Sequence, residues 1–215
     1  MWRRSSNDTR PVSARRRDGF TITELILSVS ILVAIMAMVL LNQSTYTDEV
    51  VLSNAADEIS STISQAQLYA TGVREFTPGS SEFDISYGLT FSLLSSGSDE
   101  VYIYFADRNG NGIYDDDWSC PTSNSSECLD RADLSSGNRI NALCFVRTFD
   151  TDDCNVGRID VSFFRPSIEA RILLFDTSGH SMSPANIKGA KVILESPRGL
   201  ARSVTVYLTG QISVQ

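Results

Sequence analysis

Histidine is almost missing from this chain of 215 residues, and its scarcity narrows the chemistry on offer. His180 is the only one. It follows Ser178-Gly179 in a turn-like stretch, has no second histidine with which to share a metal, and reads as a solvated loop residue. No Gly-x-Ser-x-Gly elbow presents a serine nucleophile, so a Ser-His-Asp hydrolase lacks its constellation. No glycine loop ends in Lys-Ser or Lys-Thr, which removes the usual phosphate cradle. None of the four cysteines has the Cys-x-x-Cys spacing of a zinc site or a redox pair. Proline is absent from 20 to 77, and no charge occurs between Glu24 and Asp48. There is no internal repeat.

Positive charge is scarce outside the first residues. The formal net charge is −8, yet Arg3, Arg4, Arg10, Arg15, Arg16 and Arg17 crowd the start. Removing residues 1–19 takes away six positive and two negative charges, so the remainder carries −12. Such an acidic body repels phosphate backbones, and no nucleic-acid partner is expected. It also repels anionic lipid, whereas the basic head does the opposite. Asn124 opens a formal Asn-Ser-Ser glycosylation acceptor.

What the chain does have is one long apolar run. From Leu25 to Leu41 only Ser28 and Ser30 are polar. As a helix, Phe20 to Leu41 would cover roughly 33 Å, enough for a bilayer core of about 30 Å. The arginines precede it, which keeps the N-terminus in the cytoplasm and the body outside. A secretory signal peptide would end in a small-x-small cleavage site, and "NQSTYTDEV" after Leu41 offers none. A plain anchor leaves Glu24 unexplained, because a carboxylate at the edge of a lipid-facing helix is costly.

The stretch "RRRDGFTITE" followed by about 17 apolar residues resembles the prepilin signal of type IV pilins and type II secretion pseudopilins. The resemblance implies cleavage by a prepilin peptidase after Gly19 and N-methylation of the new end, Phe20. The family's glutamate falls on Glu24. By the same resemblance the apolar helix is an anchor before assembly and a filament core afterwards. A methylated amine on Phe20 stays cationic and needs a partner once buried. Glu24 of a neighbouring subunit would supply it and fix axial register.

Beyond the apolar run, Val51, Ala55, Ile59, Ile63, Ala66 and Ala70 recur at spacings of three and four, a helical period. Thr71-Gly72 is a plausible stop. One helix is therefore expected from about 20 to about 71, a long spine in the resembled family. After Pro78-Gly79 the pattern turns to period two, with strands expected at 83–94, 100–106, 140–149, 158–165, 170–177, 190–196 and 202–214. The predicted fold class is α+β: a long N-terminal helix packed on a C-terminal antiparallel β-sheet domain. The divisions are a leader (1–19), a transmembrane or filament-core half-helix (20–42), an amphipathic half-helix (43–72) and an extracytoplasmic β-rich domain (73–215).

"DRNGNGIYDDD" places Asp107, Asn109, Asn111, the carbonyl of Ile113 and Asp115 at alternate positions of an EF-hand-type calcium loop, with Gly112 at its sharp turn. The last ligand position holds Trp118, so Asp116 or Asp117 would have to stand in, and the preceding segment reads as a strand rather than a helix. The plain alternative is a solvated acidic turn. No cofactor is required on this reading, and Ca2+ is the one candidate. The long loop 107–138 also carries Cys120 and Cys128, while Cys144 and Cys154 follow. Pairing 120 with 128 and 144 with 154 closes two short loops, one of three possible connectivities; an oxidising compartment favours disulfides.

Late in the helix "ISQAQLYATG", and at the end "GLARSVTVYLTGQISV", resemble the GspH/FimT group of minor pilins and pseudopilins. That group's DNA-binding members use basic C-terminal residues; only Arg198 and Arg202 remain here, so DNA uptake is not supported. The resemblance implies a non-enzymatic filament subunit whose partners are the prepilin peptidase, other pilin or pseudopilin subunits, membrane lipid and the assembly platform. It would be a single-pass protein of the cytoplasmic membrane, then part of a surface or periplasmic filament. A calcium-dependent surface adhesin on the same anchor is one rival, and a membrane-anchored hydrolase the remoter one.

Overall fold

The computed structural model describes residues 19–72, 84–121, 123, 126–149 and 151–215, with the backbone only for 41–45. The basic leader, the Pro78-Gly79 turn and Asn124 lie outside the described residues. The fold is α+β: among the described residues there are one long helix, one 3-10 turn at Ser135–Gly137, and antiparallel sheets. The chain divides into two compact units, residues 1–44 and 45–215. Helix α1, Ile22–Thr71, starts in the first and ends in the second.

In the first unit, Thr21 begins the helix. Its carbonyl accepts the N–H of Leu25 at 3.1 Å and its Oγ1 accepts that of Glu24 at 3.3 Å. This is the Thr-x-x-Glu arrangement that satisfies orphan amides at a helix start. Every described side chain from Phe20 to Leu40 is exposed. The hydroxyls of Ser28 and Ser30 fold back onto the carbonyls of Leu25 and Ile26, at 3.0 and 2.7 Å, so neither is left unpaired in an apolar setting. The 19 residues Ile22–Leu40 are long and apolar enough to cross a membrane, by length and composition.

In the second unit, α1 becomes amphipathic. Leu52, Ala55, Ala56, Ile59, Ile63, Ala66 and Ala70 are buried. The buried stripe uses Leu52 and Ala56 and leaves Val51 only half-buried, so it is wider than the expected row and rotated slightly from it. Three or four apolar positions per two turns give a face broad enough to sit on a sheet.

Among the described residues, eleven strands form two sheets: β1 Ser86–Ser92, β2 Ser98–Asp107, β3 Cys128–Asp133, β4 Arg139–Arg147, β5 Asp153–Val156, β6 Arg158–Phe163, β7 Ala170–Phe175, β8 Ser181–Met182, β9 Ile187–Glu195, β10 Ala201–Tyr207 and β11 Ile212–Val214. The six-stranded sheet runs β3-β2-β1-β6-β7-β8 and the five-stranded sheet β11-β10-β9-β4-β5. Every pair is antiparallel. Three strands fall outside the seven that periodicity marks: β3, β5 and β8. All are short edge elements, where one open side removes the need for alternation. The stretch 202–214 is two strands, because Gly210 turns the chain at φ +81. Only glycine fits there, since a Cβ would meet the carbonyl oxygen of Ile168 at 2.1 Å.

The helical stripe and inward residues of both sheets share one core, including Leu89, Phe91, Tyr102, Phe145, Val161, Phe163 and Val206. A second, smaller core lies on the other side of β2. There Val101, Ile103 and Phe105 pack with Tyr114, supported by Trp118 and Cys128. The six-stranded sheet is thus covered on one face by the core it shares with α1 and the other sheet, and at β2 on the other face by Tyr114 and Trp118 of the following loop.

Candidate functional site

Two places carry the residues that sequence reasoning singled out. The first is the head of α1. Gly19 and Phe20 precede the helix and are exposed, and Glu24 lies in the first turn. A carboxylate here meets the positive end of the helix dipole, which contributes about 0.3–1 kcal/mol at exposed sites.

The second is the loop that leaves β2 at Asp107 and returns at Cys128. Asp107 is buried, and its two carboxylate oxygens gather the loop's backbone. Oδ1 accepts the N–H groups of Gly110 (2.8 Å) and Asn111 (3.1 Å), and Oδ2 accepts that of Gly112 (2.8 Å). Gly110 and Gly112 hold φ of +78 and +80, which allows the chain to coil so tightly. Asn109 and Asn111 both donate their side-chain amides to Asp115 Oδ2 at 2.7 Å. The Ile113 N–H donates to Asn111 Oδ1 at 2.6 Å. Asp107, Asn109, Asn111 and Asp115 are therefore drawn together. Asp117 is turned elsewhere: its carboxylate accepts the N–H of Ser119 at 2.7 Å and the hydroxyl of the same residue, which hold it below the usual carboxyl range. Asp116 accepts from Ser126 Oγ and the Glu127 N–H.

Glu127 is the carboxylate that spacing missed. It is buried at the mouth of the loop, accepting the Asp115 N–H at 3.0 Å and the Arg108 N–H at 3.3 Å. Burial pushes its carboxyl upward, and Asp115 and Asp107 push the same way. Among the described residues, no three His, Cys, Asp or Glu side chains form a group able to hold a metal. A calcium ion here would rely on the asparagines and the Ile113 carbonyl, ligand types that such loops use.

The loop is fixed to the sheet by a network that sequence reasoning also missed. Asp160, 0% exposed, stands directly across from Thr90 in the β1–β6 register. It accepts the Thr90 hydroxyl at 2.5 Å, Arg158 through Nε at 2.9 Å and Nη2 at 2.6 Å, and the Tyr114 N–H at 3.4 Å. Arg158 Nη2 also donates to the Tyr114 carbonyl at 2.6 Å, and Arg171 donates to that of Gly110 at 3.2 Å. Burial raises the Asp160 carboxyl against the pull of Arg158. Desolvation likewise lifts the Tyr114 phenol far above its usual value. The one hint in sequence is the alternation of "RIDVSF", which reads as a solvated face and is here a covered one.

Both disulfides take the short-loop pairing. Cys120–Cys128 closes the acidic loop and Cys144–Cys154 joins β4 to β5. Arg198 and Arg202 pair with Asp48 (2.9 Å) and Glu49 (3.2 Å) on α1, so the C-terminal cations face carboxylates. His180 is exposed beside Asp176 at 3.6 Å, in the turn between β7 and β8. Tyr102, Tyr104 and Phe163 are buried sheet residues, whereas Phe164 is exposed. Burial raises the Tyr102 phenol to about 12. No protein-family model, no curated protein and no solved structure matches the chain.

Proposed function

We propose that the protein is a structural subunit of a type IV pilin-like or pseudopilin-like filament, akin to the GspH/FimT group and without enzymatic activity. One observation carries this reading. A wholly exposed apolar helical segment, headed by Gly19-Phe20 and a first-turn Glu24, continues into the face of an α+β domain stapled by disulfides. Such a segment needs lipid or other apolar helices around it. A prepilin peptidase would cut before Phe20, and other subunits and the assembly platform would then replace lipid around the helix. The disulfides accord with a domain on the extracytoplasmic side.

N-terminal sequencing of the full chain extracted from membranes in detergent should begin at methylated Phe20; an intact Met1 refutes the proposal. Glu24 tests the assembly step. If it pairs with a neighbour's amine, Glu24→Ala is still cleaved but assembles poorly. If it serves only the helix start beside Thr21, the variant assembles normally.

A second reading gives the domain a calcium loop, on the route to a calcium-dependent adhesin. The convergence of Asn109 and Asn111 on Asp115 favours it, because these are oxygen-bearing side chains at alternate loop positions. Calorimetry on the full chain in detergent should show heat at millimolar calcium; none at that concentration removes this reading.

A further inference from the structure

The same loop contains the only two Asn-Gly pairs in the sequence, Asn109-Gly110 and Asn111-Gly112. At such a pair the glycine nitrogen can attack the preceding side-chain amide, because no Cβ obstructs the approach. The nitrogen gives up its proton and bonds to the asparagine Cγ. The Cγ–Nδ2 bond breaks, and ammonia leaves carrying that proton. Water then opens the cyclic imide at either carbonyl, giving aspartate or isoaspartate. Water is the only co-reactant.

Both attacking nitrogens are held by one buried carboxylate. The Gly110 N–H donates to Asp107 Oδ1 and the Gly112 N–H to Asp107 Oδ2, each at 2.8 Å. A carboxylate that accepts these protons opposes their removal and fixes the nitrogens in the loop's own turn. The two leaving groups are held as well, since each asparagine Nδ2 donates to Asp115 Oδ2. Asn109 is exposed, so water reaches the first pair. We infer that Asn109 and Asn111 form a self-modification site guarded by Asp107, silent while the loop is folded and converting to aspartate or isoaspartate once the guard is lost. Conversion replaces an amide donor with a second carboxylate facing Asp115, so it also drives the loop apart. This inference is independent of the filament reading.

The test follows conversion at each asparagine by peptide mass spectrometry, on the full chain in detergent with a chelator present. The folded wild type should convert at least about tenfold more slowly than the same chain in urea, the lower range for loss of a hydrogen bond to a charged group. Asp107→Asn should erase most of that difference. Glu127→Gln, which loosens the loop's mouth and leaves Asp107 in place, should stay near wild type. Should Asp107→Asn fail to fold, Asp107→Glu takes its place, with rates between wild type and the urea-unfolded chain. Equal rates in folded and unfolded wild type overturn the inference. So does a folded Asp107 variant that converts no faster than Glu127→Gln.

Discussion

The two faces of the six-stranded sheet differ in how much of their closure is polar. Toward α1, the sheet presents Leu89, Phe91, Tyr102, Val161 and Phe163, and the helix answers with an apolar stripe. Toward the loop it presents the small apolar row Val101, Ile103 and Phe105, which Tyr114 and Trp118 cover, and beside it Thr90, Asp160 and Ser162, all buried, where the loop answers with the backbone N–H and C=O of Tyr114. The first face is non-directional: any side chain of the right volume contributes. The second also depends on matching each donor to an acceptor, because a buried polar group left alone costs about 1–3 kcal/mol. A sheet can therefore be closed by a loop, provided the sheet itself supplies the polar partners that the loop's irregular backbone needs.

The largest expected effect is on the polar contacts. Arg158→Met removes the cation from Asp160 and should destabilise the fold by about 3–5 kcal/mol, the range for a stranded buried charge. Chemical denaturation measures it, and a loss below 1 kcal/mol would put the pair on a par with surface ion pairs. On the apolar face, Ile63→Ala removes a fully buried side chain and should cost about 2–4 kcal/mol without changing the protease sensitivity of the 108–127 loop. Loss of that loop's protection in Ile63→Ala would show that the two faces are not independent. Opening Cys120–Cys128 with paired serine substitutions should cost roughly 2–3 kcal/mol and expose the loop to proteases first.

The smallest effect concerns pH. Glu127 has its folded carboxyl above the ordinary 4.5. The native state then holds the proton more tightly than the unfolded one, so this contribution is present in acid and fades as pH rises through the raised value. Glu127→Gln should flatten that slope in a denaturation series from below 4.5 upward. An unchanged slope would exclude Glu127 as its source.

The sequence announces the apolar contacts and conceals the polar ones for a physical reason. Ala55, Ile59 and Ile63 repeat at helical spacing, and Tyr102 and Tyr104 alternate, because apolar burial leaves a periodic trace. Asp160 leaves none: in "RIDVSF" a carboxylate in the alternate position reads as water-facing until something covers it. Glu127 and Arg171 act across long sequence gaps, through loop closure that no local spacing encodes. The Asp107 loop is intermediate, since its Asn-Gly turns name the local geometry while its attachment to the sheet is invisible. At the head of α1, Glu24 stands out in the sequence, but the capping geometry it shares with Thr21 emerges only when the helix is traced.

Gln67, near the end of α1, donates its side-chain amide to two carbonyls, Ile168 at 2.9 Å and Gly210 at 3.3 Å. Ile168 belongs to the turn between β6 and β7 of one sheet, and Gly210 to the turn between β10 and β11 of the other. A single carboxamide thus fastens the helix to both sheets. Gln67→Ala would therefore release a turn of each sheet with one substitution.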